Sequence, residues 1–183
     1  EGIGYHIQGD LENAEKCYRE IISYGIQNAS ISSNLGVICQ ATQRVDEAIL
    51  HYKKAIEIDH NHPDAHFNLG SVYKDLGNLE QALSSTLKSL EFMPDNSDAL
   101  MNLGSIYKDL GSLDQALDAT LKSLEIKPDN PDALMNLGSI YIDLDNHEQA
   151  LSSTLKSLEI KSDNYIALMN LGSIYKDLGN LDQ

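Results

Sequence analysis

Asn68-Leu69-Gly70-Ser71-Val72-Tyr73-Lys74-Asp75-Leu76-Gly77 is the stretch that decides the fold, because the chain writes it again and again. Leu69–Gly77 returns almost verbatim at Leu103–Gly111, Leu137–Asp145 and Leu171–Gly179, and Asn34, Asn68, Asn102, Asn136 and Asn170 hold one register. The spacing is 34 residues, and segments 97–130 and 131–164 agree at roughly three-quarters of their positions, a period that belongs to helical repeat arrays. Four whole units follow, 29–62, 63–96, 97–130 and 131–164. Partial units lie at 1–28 and 165–183.

Each unit carries two helical patterns. In 97–130 the first runs roughly from Asp98 to Leu110, with Leu100, Leu103, Ile106, Tyr107 and Leu110 at helical spacing. Gly111 stops it by tolerating the left-handed backbone after a helix. Ser112 is placed to cap the second helix, whose apolar stripe reads Leu113, Ala116, Leu117, Leu121, Leu124 and Ile126. Pro128-Asp129-Asn130 breaks the chain before the next unit. Gly104 and Ala116 are small where the two helices would cross. No strand-like alternation occurs, so the expected fold is all-α helix–turn–helix units in tandem.

The signature Leu-Gly-x-x-Tyr, then Ala, then Pro, resembles the tetratricopeptide repeat. Leu69, Gly70, Tyr73, Ala82 and Pro94 carry it, as do Leu103, Gly104, Tyr107, Ala116 and Pro128. Leu137, Gly138, Tyr141 and Ala150 follow, with Ser162 for the proline; Leu35, Gly36, Ala48 and Tyr52 match in 29–62, and Tyr5, Gly9, Ala14 and Tyr18 keep register in 1–28. The resemblance implies a right-handed helical solenoid. The family's leading Trp is replaced by Leu100, Leu134, Leu168 or His66, and the second-helix aromatic, present as Tyr18 and Tyr52, becomes Thr86, Thr120 and Thr154. Leu87, Leu121 and Leu155 then occupy the next position, which the family leaves polar. Either the second helix rolls to bury these leucines or they form an outer apolar ladder; the roll is expected, since repeated exposed leucines invite aggregation.

In this family the first helices line a concave face that holds peptides. The resemblance therefore places there Asn34, Asn68, Asn102, Asn136 and Asn170, preceded by Phe67, Met101, Met135 and Met169. Ser71, Ser105, Ser139 and Ser173 lie one turn on, then Lys74, Lys108 and Lys176 beside Asp75, Asp109, Asp143 and Asp177. An amide offers donors and acceptors, so an asparagine row can pair with an extended backbone of any sequence, and Met adds adaptable apolar contact. The row resembles the asparagine ladder of the O-linked N-acetylglucosamine transferase superhelix; the alternative is that it satisfies neighbouring helices. The family's two-carboxylate clamp needs paired Lys and Arg, and Asp75 and Asp109 oppose such a ligand.

A net charge of −15 and singly spaced lysines argue against nucleic acid and anionic membranes. A neutral to mildly basic protein or peptide suits the face. No apolar run has membrane-span length and no secretory h-region is present. Opening on Glu1 and stopping at Gln183 mid-repeat reads as a fragment whose uncapped ends would associate end to end.

Cys17 and Cys39 read as small buried residues in a reducing compartment, not a disulfide framework, and cytoplasmic is the default location. His60, His62 and His66 form one local candidate metal cluster, but His60 sits at the inter-unit turn, His66 holds the position of leucine in later units, and the cluster occurs once. No phosphate loop, oriented nucleophile or unique acid pair suggests catalysis, and no cofactor is expected. The reading is a non-catalytic scaffold that recognises an extended polypeptide. The alternatives are the substrate-recruiting arm of a larger enzyme (glycosyltransferase, sulfotransferase or methyltransferase), as in similar bacterial arrays, or a spacer that self-assembles.

Overall fold

A computed structural model describes residues 1–179 of the chain. Residues 180–183, the end of the last expected partial unit, lie outside the described residues. The elements are all helices: α1 (Gly2–Ile7), α2 (Leu11–Ser23), α3 (Ala29–Ala41), α4 (Val45–Ile58), α5 (Pro63–Asp75) and α6 (Leu79–Phe92) in one compact unit. The other unit holds α7 (Ser97–Asp109), α8 (Leu113–Ile126), α9 (Pro131–Asp143), α10 (His147–Ile160) and α11 (Tyr165–Asp177). Among the described residues there is no strand, and no helix is long and apolar enough to cross a membrane.

Sequential helices pack as antiparallel hairpins, α3 on α4 and α5 on α6 in the first unit, α7 on α8 and α9 on α10 in the second. The turn glycines adopt the conformation expected of them, with φ of +73° at Gly77 and +74° at Gly111. Asp145 takes the same turn position at φ +56°, tolerable for a short polar side chain. The hairpins close where the sequence is smallest. A Cβ on Gly70 or Gly138 would stand 2.5 Å from Thr86 Oγ1 or Thr154 Oγ1, and one on Gly104 would collide with Thr120 Oγ1. Tyr52 fills the same slot against Gly36.

This close approach overturns the expected roll of the second helix. Leu87, Leu121 and Leu155 remain 44%, 39% and 39% exposed, while Thr86, Thr120 and Thr154 are fully buried. Residues i, i+4 and i+7 share a helix face, and here they are Ala116, Thr120 and Ser123, all inside. Leu121 lies one residue round from Thr120 and faces out. Ile126 is also exposed. The buried serines latch the hairpins: Ser123 Oγ donates to the Ser97 carbonyl at 2.8 Å and Ser157 Oγ to the Pro131 carbonyl at 2.7 Å.

Capping differs from expectation too. Ser112 makes no side-chain cap to α8. The first helices are capped instead, by Asn28, His62, Asn96, Asn130 and Asn164, each accepting from a backbone N–H of the first turn. The Asn130 that reads as a chain breaker is therefore also the start signal of α9.

Candidate functional site

On α7, Met101, Ser105 and Lys108 fall on one side of the helix, with Asp109 at its end. All but the exposed Asp109 are half-buried. The pattern recurs on α9 as Met135, Ser139 and Asp143, with Ile142 in the lysine position. The two helices touch within one unit, and Lys108 Nζ bridges to Asp143 Oδ2 at 3.6 Å. On α11, which packs beside α9, Met169, Ser173, Lys176 and Asp177 continue the row and are exposed. In the first unit α5 carries Phe67, Ser71, Lys74 and Asp75 in the same register. Neighbouring Tyr73 is buried and receives the Lys53 ammonium 5.9 Å from its ring centre.

The asparagines separate from this open row. Asn102 and Asn136 are only 5% and 7% exposed. They sit one residue round from the methionines, on the flank of the first helix. Asn136 Nδ2 donates to Thr120 Oγ1 at 3.4 Å, and Asn34 Nδ2 donates to the Tyr18 hydroxyl at 3.3 Å. Each of these bonds ties a first helix to the second helix before it. Asn68 and Asn170 are half-buried, and Asn170 Nδ2 has no hydrogen-bond partner among the described residues.

The rings of His62 and His66 are engaged in structural bonds, and His60 contributes its backbone carbonyl. His62 caps α5, its Nδ1 accepting from Ala65 N at 3.3 Å, while its Nε2 lies 3.4 Å from Ser30 Oγ. His66 is buried, with Nε2 2.9 Å from the His60 carbonyl. A different set of donors converges elsewhere: Cys39, Glu47 and His51 place their ligand atoms within 4.8 Å of one another. Both cysteines are free thiols; Cys39 is buried and Cys17 half-buried.

The strongest electrostatic feature joins α2 to α4. Glu15 accepts from Arg44 at 2.6 and 2.8 Å and from Arg19 at 2.9 Å. The Arg44 guanidinium, then Arg19, hold the Glu15 carboxyl down at about 2 against the opposing effect of burial. Burial raises the Tyr52 hydroxyl, which donates to Gln40 Oε1 at 2.8 Å. Two hollows lie off the open row. One of about 320 Å³ is lined by Leu100, Tyr107, Gln115 and the ion-paired Asp118 and Lys122. The other, about 250 Å³ and mostly apolar, lies among Ile22, Ile26, Leu50 and Ile58.

Helical hairpins of this geometry at a 34-residue period meet three profiles of one family. The profile described as TPR repeat matches residues 38–77 and 104–145, and profiles described as tetratricopeptide repeat match 63–96, 131–164 and 165–183. The chain is a tetratricopeptide repeat protein. Solved structures share its fold: the Pseudomonas aeruginosa pilF protein at TM-score 0.85 and 20% identity, covering 99% of this chain and 82% of that one. YrrB, described as a tetratricopeptide protein with an unusual peptide-binding site, gives TM-score 0.75 and 24% identity over 92% of this chain and 87% of its own. MamA gives 0.74 and 23% over 90% of each chain. At these identities the likeness concerns the fold. No curated protein matches the sequence. For this tetratricopeptide repeat protein the family supports a protein-interaction scaffold.

Proposed function

We propose that this scaffold receives an extended polypeptide along the shared face of its first helices. The observation that carries the reading is the repeated open row Met101–Ser105–Lys108–Asp109 and Met135–Ser139–Asp143 on touching helices. A row repeating at the spacing of adjacent helices suits a ligand that also repeats, namely an extended chain. Methionine supplies adaptable apolar contact, serine and aspartate supply acceptors, and neither demands one ligand sequence.

Charge sets the partner class. In the second unit the row holds Asp109, Asp143 and Asp177 against Lys108 and Lys176, one negative charge in excess, in a chain of net charge −15. Lys108 is further neutralised by Asp143. A neutral to mildly basic peptide is favoured and an acidic one is repelled. In this reading Asn34 and Asn136 brace the row through bonds made between helices, such as Asn136 to Thr120.

A selection from a peptide display library tests this. Wild type should enrich extended neutral or basic peptides, and Met101→Asp with Met135→Asp should lose them while remaining helical. Equal enrichment by both proteins would remove the face from consideration.

A further inference from the structure

We propose that Cys39, Glu47 and His51 form a binding site for a thiophilic divalent cation of the zinc class. Their thiol sulfur, carboxylate oxygen and ring nitrogen lie within 4.8 Å of one another, with Cys39 Sγ 3.9 Å from Glu47 Oε2. Glu47 and His51 are four residues apart on α4 and therefore share a helix face. Cys39 reaches them from α3, across the hairpin. Donors around a tetrahedral zinc stand about 3.5 Å apart, given metal–ligand bonds of ~2.0–2.3 Å. Closing from 4.8 Å needs only small side-chain rotations, and Glu47 and His51 are half-exposed and have room to make them.

The repeat register supplies an independent observation. The position of Cys39 is Tyr73, Tyr107 and Tyr141 in the later units. Glu47 corresponds to Gln81, Gln115 and Gln149, and His51 to Ser85, Ala119 and Ser153. Three positions on the two helices of one hairpin thus depart together from the repeat, each toward a metal donor, where they meet.

The surroundings suit a cation. Arg19 and Arg44 donate to Glu47 Oε2 at 3.0 and 3.4 Å, fixing the carboxylate as outer-shell partners do. Their two positive charges are offset by Glu15 and Glu47, so a Cys39 thiolate leaves the cluster with a net negative charge. Burial holds His51 below the usual histidine range and pushes the Cys39 thiol up, so coordination has to displace the thiol proton. On coordination the thiol proton leaves to solvent, and water completes the fourth position.

Titration of the reduced protein with Co²⁺ tests the site through thiolate-to-cobalt absorption. One equivalent should produce the band, and excess Zn²⁺ should abolish it. Cys39→Ser should remove it, while Cys17→Ser and His62→Asn leave it unchanged. His51→Ser should weaken binding at least tenfold. Because His51→Ser installs the residue that other units carry, loss of folding is not expected, and circular dichroism checks it. No thiolate band, a band that survives Cys39→Ser, or full affinity in His51→Ser would overturn the assignment.

Discussion

Gly138 and Gly172 hold the same repeat position in helices that differ in what lies beside them, and replacing each with alanine separates packing from propensity. At Gly138 the new Cβ would lie 2.5 Å from Thr154 Oγ1 and 3.4 Å from the Ala150 carbonyl oxygen. At Gly172 it would meet nothing within 4 Å among the described residues. Alanine gains up to ~1 kcal/mol over glycine within a helix, whereas forcing an atom into a packed interface costs about 1–3 kcal/mol. Gly172→Ala should therefore stabilise by up to ~1 kcal/mol and Gly138→Ala should destabilise by about 1 kcal/mol or more. The offending atom can itself be removed. Thr154 Oγ1 has no hydrogen-bond partner among the described residues, so Thr154→Ala sacrifices little polar satisfaction. In that background the remaining neighbours of the new Cβ are backbone atoms at 3.4 and 3.5 Å, ordinary contact distances. Gly138→Ala should then become neutral or stabilising, a coupling of about 1–3 kcal/mol. Urea titration followed by circular dichroism reads the midpoints, and amide exchange in α9 and α10 localises the effect, because repeat arrays need not unfold in one step. Equal effects at the two glycines, or a Gly138→Ala cost unchanged by Thr154→Ala, would refute the reasoning.

Other perturbations test separate parts of the account. Glu15→Gln should cost about 1 kcal/mol at neutral pH, the value for a partly solvated ion pair. Because the folded carboxyl is held down to about 2 from an ordinary 4.5, that stability is present above pH 4.5 and lost as pH falls toward 2, so urea midpoints of variant and wild type should converge over that window. Asn130→Ala removes bonds of 3.1 and 3.2 Å to the Asp132 and Ala133 amides and should cost about 1 kcal/mol in the same assay, while Asn130→Asp retains the cap. Leu121→Glu with Leu155→Glu should change stability by less than about 0.5 kcal/mol each and raise solubility, since both side chains already face out.

The sequence made the hairpins plain because their signals agree: small residues at crossings, glycine at turns, leucine at helical spacing. It misled at Leu87, Leu121 and Leu155, where hydrophobicity alone assigns the larger side chain to the interior. The deciding fact is local: Thr86, Thr120 and Thr154 close directly against the glycines of the first helices, and the leucine beside each is turned away. The clue was present in the replacement of Tyr18 and Tyr52 by threonine in later units. Asn130 was similarly ambiguous, because asparagine both breaks a chain and starts a helix. The open row was legible from its period. What periodicity could not decide was which flank of the first helix the asparagines face, since both flanks repeat every 34 residues. Cys39, Glu47 and His51 were visible one by one as departures from the repeat, and only the hairpin brings them together.

Methionine methyl NMR tests the central claim most directly. The chain has four methionines: Met101, Met135 and Met169 on the open row, and Met93 at the end of α6. Titration with a display-selected peptide should shift the Met101 and Met135 methyl signals and leave Met93 in place. A peptide that binds while moving only Met93, or only the leucine methyls of Leu121 and Leu155, would contradict a ligand held on the first helices.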